Sequence, residues 1–168
     1  MADYKDKTEE QKCIFCEIAK GNIKPLGNAL IYENDNFMAW LSPFPNTLGF
    51  TVVIPKKHYF SDVLKMDDNV FCDFLLVSKK VSNMLENYFE DVGRVGLIME
   101  GTGINHAHIK LFPMHGTEFM KKGEWKQFHS GVDTYFEKYL GYISSNDGPK
   151  ADFEKLAKLA KNIRNKNN

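Results

Sequence analysis

Two short stretches carry the residue types from which chemistry can be built: Cys13-Ile14-Phe15-Cys16 and Asn105-His106-Ala107-His108-Ile109-Lys110-Leu111-Phe112-Pro113. In an extended strand, side chains alternate faces. His106, His108 and Lys110 would therefore project from one side while Ala107, Ile109 and Leu111 pack the other. Two imidazoles and an ammonium on one face suit a phosphate or a metal better than a core. A neutral imidazole is a competent nucleophile toward phosphorus, and His108, central in the row, is the expected nucleophile. Lys110 would disfavour protonation of His108 and stabilise the anionic oxygens of a pentavalent transition state. Gly101 and Gly103 precede the row, and glycines let backbone N–H groups approach a phosphate closely.

The Cys-x-x-Cys spacing brings two thiolates within reach of one tetrahedral zinc ion. His58 and His106 are the best candidates for the two further ligands. Two rival readings stay open. One is a thioredoxin-type redox pair, but that motif opens a helix after a strand, and nothing strand-like precedes Cys13. The other is a pair of buried thiols at a helix start. Cys72 falls within a long amphipathic segment and reads as a small core residue.

The elements that must position these groups follow from periodicity and punctuation. A short helix is expected over Cys16 to Lys20, ending at Gly21 with Pro25 preventing its continuation. Strand-like runs follow at Ala29–Tyr32, Phe37–Leu41 and Phe50–Ile54, separated by Asn/Asp or Pro/Asn/Gly clusters. Asp67 to Phe89 reads as the main helix, with Val70, Phe74, Val77, Val81, Met84 and Tyr88 as its apolar stripe. Arg94–Met99 and His106–Phe112 are two more strands joined by a Gly-Thr-Gly turn. A terminal helix is expected from about Ala151 to Ile163, with Phe153, Leu156, Ala160 and Ile163 on one face. Strands, one long helix and more strands make an α+β domain on a mostly antiparallel sheet.

Composition bounds the function. The 168 residues include 43% hydrophobic and 26% charged side chains with a formal net charge of zero. That is ordinary for a soluble globular domain and supplies no global field toward nucleic acid or an anionic membrane. No apolar stretch approaches the length of a membrane helix, and the N-terminus lacks a signal-peptide pattern. Residues 1–12 are polar and expected to be disordered. Three cysteines, two of them as Cys-x-x-Cys, suit a reducing compartment, with the cytoplasm as default.

Several spaced motifs, in order, resemble the histidine triad (HIT) superfamily of nucleotide hydrolases and transferases. They are Cys13-Ile-Phe-Cys16-Glu-Ile, the loop Ser42-Pro-Phe-Pro45-Asn-Thr-Leu-Gly49-Phe50, then Val53-Ile54-Pro55-Lys56-Lys57-His58, and finally His106-Ala-His108-Ile-Lys110-Leu-Phe-Pro113. The resemblance implies a HIT-like domain over residues 13–116, usually a homodimer, and a C-terminal extension over 117–168. It implies structural Zn2+ on Cys13, Cys16, His58 and His106, and His108 as covalent nucleophile. It implies a nucleotide cleft involving Ile14, Phe15, Trp40 and Ser42, with Gly101 and Gly103 before the motif.

The departures are as specific. The third motif histidine is Lys110, a family aspartate is Ser42, a family histidine is Phe50, and the glycine segment is shortened to Gly101-Thr102-Gly103. Together they imply altered substrate recognition. Trp125, His129 and Tyr135 in the extension would help to set specificity. The expected function is cleavage of a nucleoside phosphate derivative, such as a dinucleoside polyphosphate or nucleotide conjugate, through a nucleotidyl-His108 intermediate. A nucleotide-binding module with little catalysis is the alternative. A zinc hydrolase acting through metal-bound water is a third reading.

Overall fold

The computed structural model describes residues 13–126, 128, 135, 137–143, 150–157, 159 and 162. Its first element is a short helix, α1 (Ile14–Ala19), and its longest is α2 (Asp68–Tyr88). Five strands, β1 (Leu30–Glu33), β2 (Phe37–Leu41), β3 (Thr51–Pro55), β4 (Val92–Ile98) and β5 (Ile109–His115), form one antiparallel sheet in the order β1-β2-β3-β5-β4. This is the α+β architecture expected from the sequence. Asn34 makes the β1–β2 turn, its side-chain oxygen accepting from the backbone N–H of Asn36 and Phe37 at 3.0 and 2.7 Å.

Alternation along the strands builds two apolar layers. Phe37 and Ala39 of β2, Val53 of β3 and Ile109 and Leu111 of β5 face α2, packing on Phe74, Val81 and Leu85. Met38 and Trp40 of β2 and Val52 and Ile54 of β3 face the other way, onto Ile18 of α1 with Phe15 and Phe50. Covered on both sides, β3 is buried along its whole length. The strand-alternation rule thus places Ala107, Ile109 and Leu111 correctly in the core. The regular strand, however, begins at Ile109 and runs through Pro113, three residues later than expected at each end. Pro113 is tolerated because β3 pairs with β5 no further than Thr51 opposite Leu111, leaving Pro113 with a ladder partner on the β4 side only.

Helix α2 is capped by Asp67, whose carboxylate accepts from the Asn69 N–H at 3.0 Å. Its buried residues are Phe74, Ser78, Val81 and Leu85. The expected stripe included Met84 and Tyr88, yet Tyr88 is 79% exposed. A seven-residue repeat drifts against a helix of 3.6 residues per turn, so the far end of the stripe rotates off the sheet and Leu85 takes the inner position. Ser78 is tolerated inside because its hydroxyl donates to the Phe74 carbonyl at 2.8 Å.

The chain divides into two compact units, one up to Trp125 and one from Lys126. Thr117 is buried in the first, its Oγ1 accepting from the Gly93 N–H at 2.9 Å. In the second, residues 153–157 are helical, with the Asp152 carboxylate accepting from the N–H groups of Glu154 and Lys155. Phe153 and Leu156 are exposed there. Ala160, Ile163 and His129 lie outside the described residues, as do residues 1–12. No helix among the described residues is long and apolar enough to cross a membrane.

Candidate functional site

Cys13 caps α1 and Cys16 lies in its first turn, so a helix of only six residues presents both thiols to one side. His58 follows the end of β3, and His106 immediately precedes β5 with Ala107 and His108. These four meet. Nδ1 of His106 lies 3.4 Å from Cys13 Sγ and 3.5 Å from Cys16 Sγ, while Nδ1 of His58 lies 3.2 Å from Cys16 Sγ. All four potential ligand atoms fall within 4.8 Å of one another. Bond lengths of about 2.3 Å to sulfur and 2.0 Å to nitrogen give a tetrahedron with edges of roughly 3.3–3.8 Å. The three sulfur–nitrogen separations of 3.2–3.5 Å lie close to such edges.

His106 is prepared for that role. Its Nε2–H donates to the Pro55 carbonyl at 2.9 Å, which leaves the Nδ1 lone pair toward the thiols. Burial pushes its pKa down to about 4, against the Pro55 hydrogen bond, so the ring is neutral as a metal ligand must be. Two sulfurs and two imidazole nitrogens suit Zn2+, and a complete four-donor set describes a structural site without an open position.

Beside this cluster opens a cavity of about 300 Å³. His108, Lys110, Phe15 and Ser42 line it, together with Gly103. His108 is 3% exposed, and its Nδ1–H donates to the His106 carbonyl at 2.8 Å. A carbonyl can only accept, so Nε2 carries the free lone pair. Burial lowers the His108 pKa; the His106 hydrogen bond opposes this, and the nearby Lys110 charge reinforces it. The imidazole is therefore neutral and nucleophilic. Phe15 joins the two centres, its ring centroid standing 5.8 Å from His106, 5.8 Å from His108 and 5.3 Å from Trp40, each edge to face.

The other expected cleft residues are placed differently. Trp40 is buried beneath Phe15, and Ile14 is 40% exposed; neither lines the cavity. Gly101 is also off the wall, in a turn at φ +66°. Ser42 accepts from the Phe44 N–H at 3.2 Å. Sequence reasoning did not single out Phe44, Val52, Thr102 or Ile104, which complete the lining with Phe50. Phe50 stacks on Phe112 at 4.6 Å, filling an apolar wall where the resemblance leads one to look for histidine. Nor did it find Glu100, which pairs with Lys110. Lone carboxylates are common, and nothing local in the sequence marks this one.

A family model for the HIT domain matches residues 26–117, a span holding His58, His106, His108 and Lys110. The chain belongs to the HIT family. An uncharacterised HIT-like protein of Methanocaldococcus jannaschii is 33% identical over 123 residues, covering 68% of this chain and 89% of the relative. Adenosine 5′-monophosphoramidase of Schizosaccharomyces pombe is 29% identical over 120 residues, covering 69% and 84%. The crystal structure of SMU.412c from Streptococcus mutans shares the fold with a TM-score of 0.65 and 23% identity, over 95% of this chain and 88% of that one. As a HIT protein, this chain has Lys110 as the last member of its His-x-His-x-Lys row.

Proposed function

We propose that this HIT protein is a nucleotidyl hydrolase or transferase acting on a nucleoside phosphate derivative through His108. The observation that carries this is the orientation of one buried imidazole: Nδ1–H is committed to the His106 carbonyl, so Nε2 alone is available in the cavity. Nε2 attacks phosphorus, an N–P bond forms, and the bond from phosphorus to the leaving group breaks with its electron pair going to that group. Water or another acceptor then attacks phosphorus and gives up its proton to solvent, which supplies the one the leaving group takes up, the N–P bond breaks, and the pair returns to Nε2. Phe15 and Ser42 serve the nucleoside side of the cavity and Lys110 the phosphate. Zn2+ on Cys13, Cys16, His58 and His106 has a structural role, tying α1 to the segment before β5 that carries the nucleophile. The working unit is a homodimer in the cytoplasm; the mass of the native protein in solution tests the assembly.

Intact-protein mass spectrometry after mixing with adenylated and guanylated substrates tests the mechanism. One nucleoside monophosphate should add to the wild type and none to His108→Ala, whose turnover should fall by about 10⁴-fold or more. Unchanged turnover in that variant would refute it. The binding-module alternative draws on one observation, that Glu100 already occupies Lys110. It expects nucleotide to bind with no adduct.

A further inference from the structure

Among the described residues lining the cavity, Lys110 is the one cation, and it arrives with its charge already answered. Glu100 stands two residues beyond β4, just before the turn at Gly101. A Cβ on Gly101 would lie 2.6 Å from the Ser61 carbonyl oxygen, so this turn is pressed against the segment that follows His58 and accepts only glycine. The Glu100 side chain is 12% exposed. Its Oε1 accepts from the Lys110 ammonium and, at 3.1 Å, from the Thr102 hydroxyl. Both donors line the cavity. Oε2 is buried and receives no hydrogen bond from any described residue.

We propose that Glu100 is a specificity-determining residue that cancels the charge of Lys110, so that the site favours nucleotide conjugates whose leaving group carries no negative charge over those carrying further phosphates. This role presupposes the cavity of His108 as the nucleotide site. A lysine free of partners would draw polyphosphate chains strongly, since opposite charges attract steeply where water is scarce. Paired with a carboxylate, Lys110 can still meet the single charge of one transferred phosphate. Each added phosphate instead meets a Lys110 whose charge the Glu100 carboxylate behind it cancels, and gains little attraction. Burial works against the ionised form of Glu100, yet the hydrogen bonds from Lys110 and Thr102 and the Lys110 charge hold its carboxyl below the usual range. It is charged at neutral pH.

The test compares wild type, Glu100→Gln and Glu100→Asp on two substrates that share adenosine monophosphate, one with an amine leaving group and one a diadenosine tetraphosphate. Calorimetric binding of AMP and ATP runs beside it. Glu100→Gln should raise the tetraphosphate-to-amide ratio of kcat/KM by about tenfold or more, chiefly through KM, and tighten ATP relative to AMP. Glu100→Asp should restore the wild-type ratios. Ratios unmoved by Glu100→Gln, or both substrates falling together with no change in ATP-to-AMP preference, would overturn the role. Absence of any adduct in the wild type would defeat the nucleophile assignment alone, because the binding ratio still judges Glu100.

Discussion

Two of the three histidines of the candidate site commit one ring nitrogen to a backbone carbonyl and keep the other for chemistry: His106 through Pro55, His108 through His106 itself. His115 is built otherwise. Its Nδ1 lies 3.0 and 3.1 Å from the two Asp91 oxygens, and its Nε2 3.0 Å from the Leu48 carbonyl. All are acceptors, so both nitrogens can donate only when the ring is protonated. The Leu48 carbonyl and Asp91 carboxylate accordingly raise the His115 pKa above 6.5, and the His115 hydrogen bond lowers that of Asp91 below 3.8. The sign of the effect on stability follows. The His115 contribution is whole below 6.5 and disappears as pH rises through the folded-state value; that of Asp91 is whole above 3.8 and disappears on acidification. Calorimetric melting should show a larger gap between wild type and His115→Asn at pH 5.5 than at pH 8, and an equal gap would remove the assignment. This pair was invisible in the sequence, where the residues stand 24 positions apart. The members of the Cys2His2 cluster were legible because Cys-x-x-Cys is a local spacing and histidine is a rare type. Glu100 and the apolar lining residues were not: Glu100 meets Lys110 only when β4 lies beside β5, and Val52 joins the same wall only when β3 pairs with β5.

At the scale of elements, the sheet depends on one aromatic contact with the long helix. Phe74 is fully buried and stacks on Phe37 of β2 at 5.5 Å. Phe74→Ala should cost about 3–5 kcal/mol, read as a lower midpoint in urea, because the rigid pair of sheet and helix cannot close the hole. A loss under about 1 kcal/mol would mean that the α2 layer repacks. Strand and helix identities were readable from alternation, the 3.6-residue period and punctuation. β2 fell on its expected bounds, Phe37–Leu41. Helix α2 missed by one residue at each end. The inner face of its last turns was misread because two side chains of equal apolarity, Met84 and Leu85, are adjacent, and only the packing against the sheet chooses between them. β5 shifted because His106 to His108 are held by side-chain and loop contacts, with His106 and Ala107 bonded to Ile104 and Tyr59 in place of a ladder partner.

Across the whole molecule, the Cys2His2 cluster joins the start of the described chain to the strand at the sheet's centre. Cys13→Ser should release bound metal, measured by elemental analysis, and lower the melting temperature by several degrees. Chelation of the wild type should do the same. Metal content unaffected by Cys13→Ser would remove the ligand assignment. Helix α1, six residues long, is far too short to persist by its own hydrogen bonds. Its shape therefore depends on the packing of Ile18 against β2 and β3 and on what its two thiols meet, and the position of Phe15 follows from that shape. Cys13 and His106 are 93 positions apart, so an ion joining them closes a very long loop. The unfolded chain has no preformed site, so an ion bound at the cluster would add its binding free energy to the folded unit alone. The long separation also imposes an order of events. Cys13 and Cys16 stand 93 and 90 positions before His106, so the four donors meet only once α1 has packed beside the segments that follow β3 and precede β5, and a site for an ion exists from that point on.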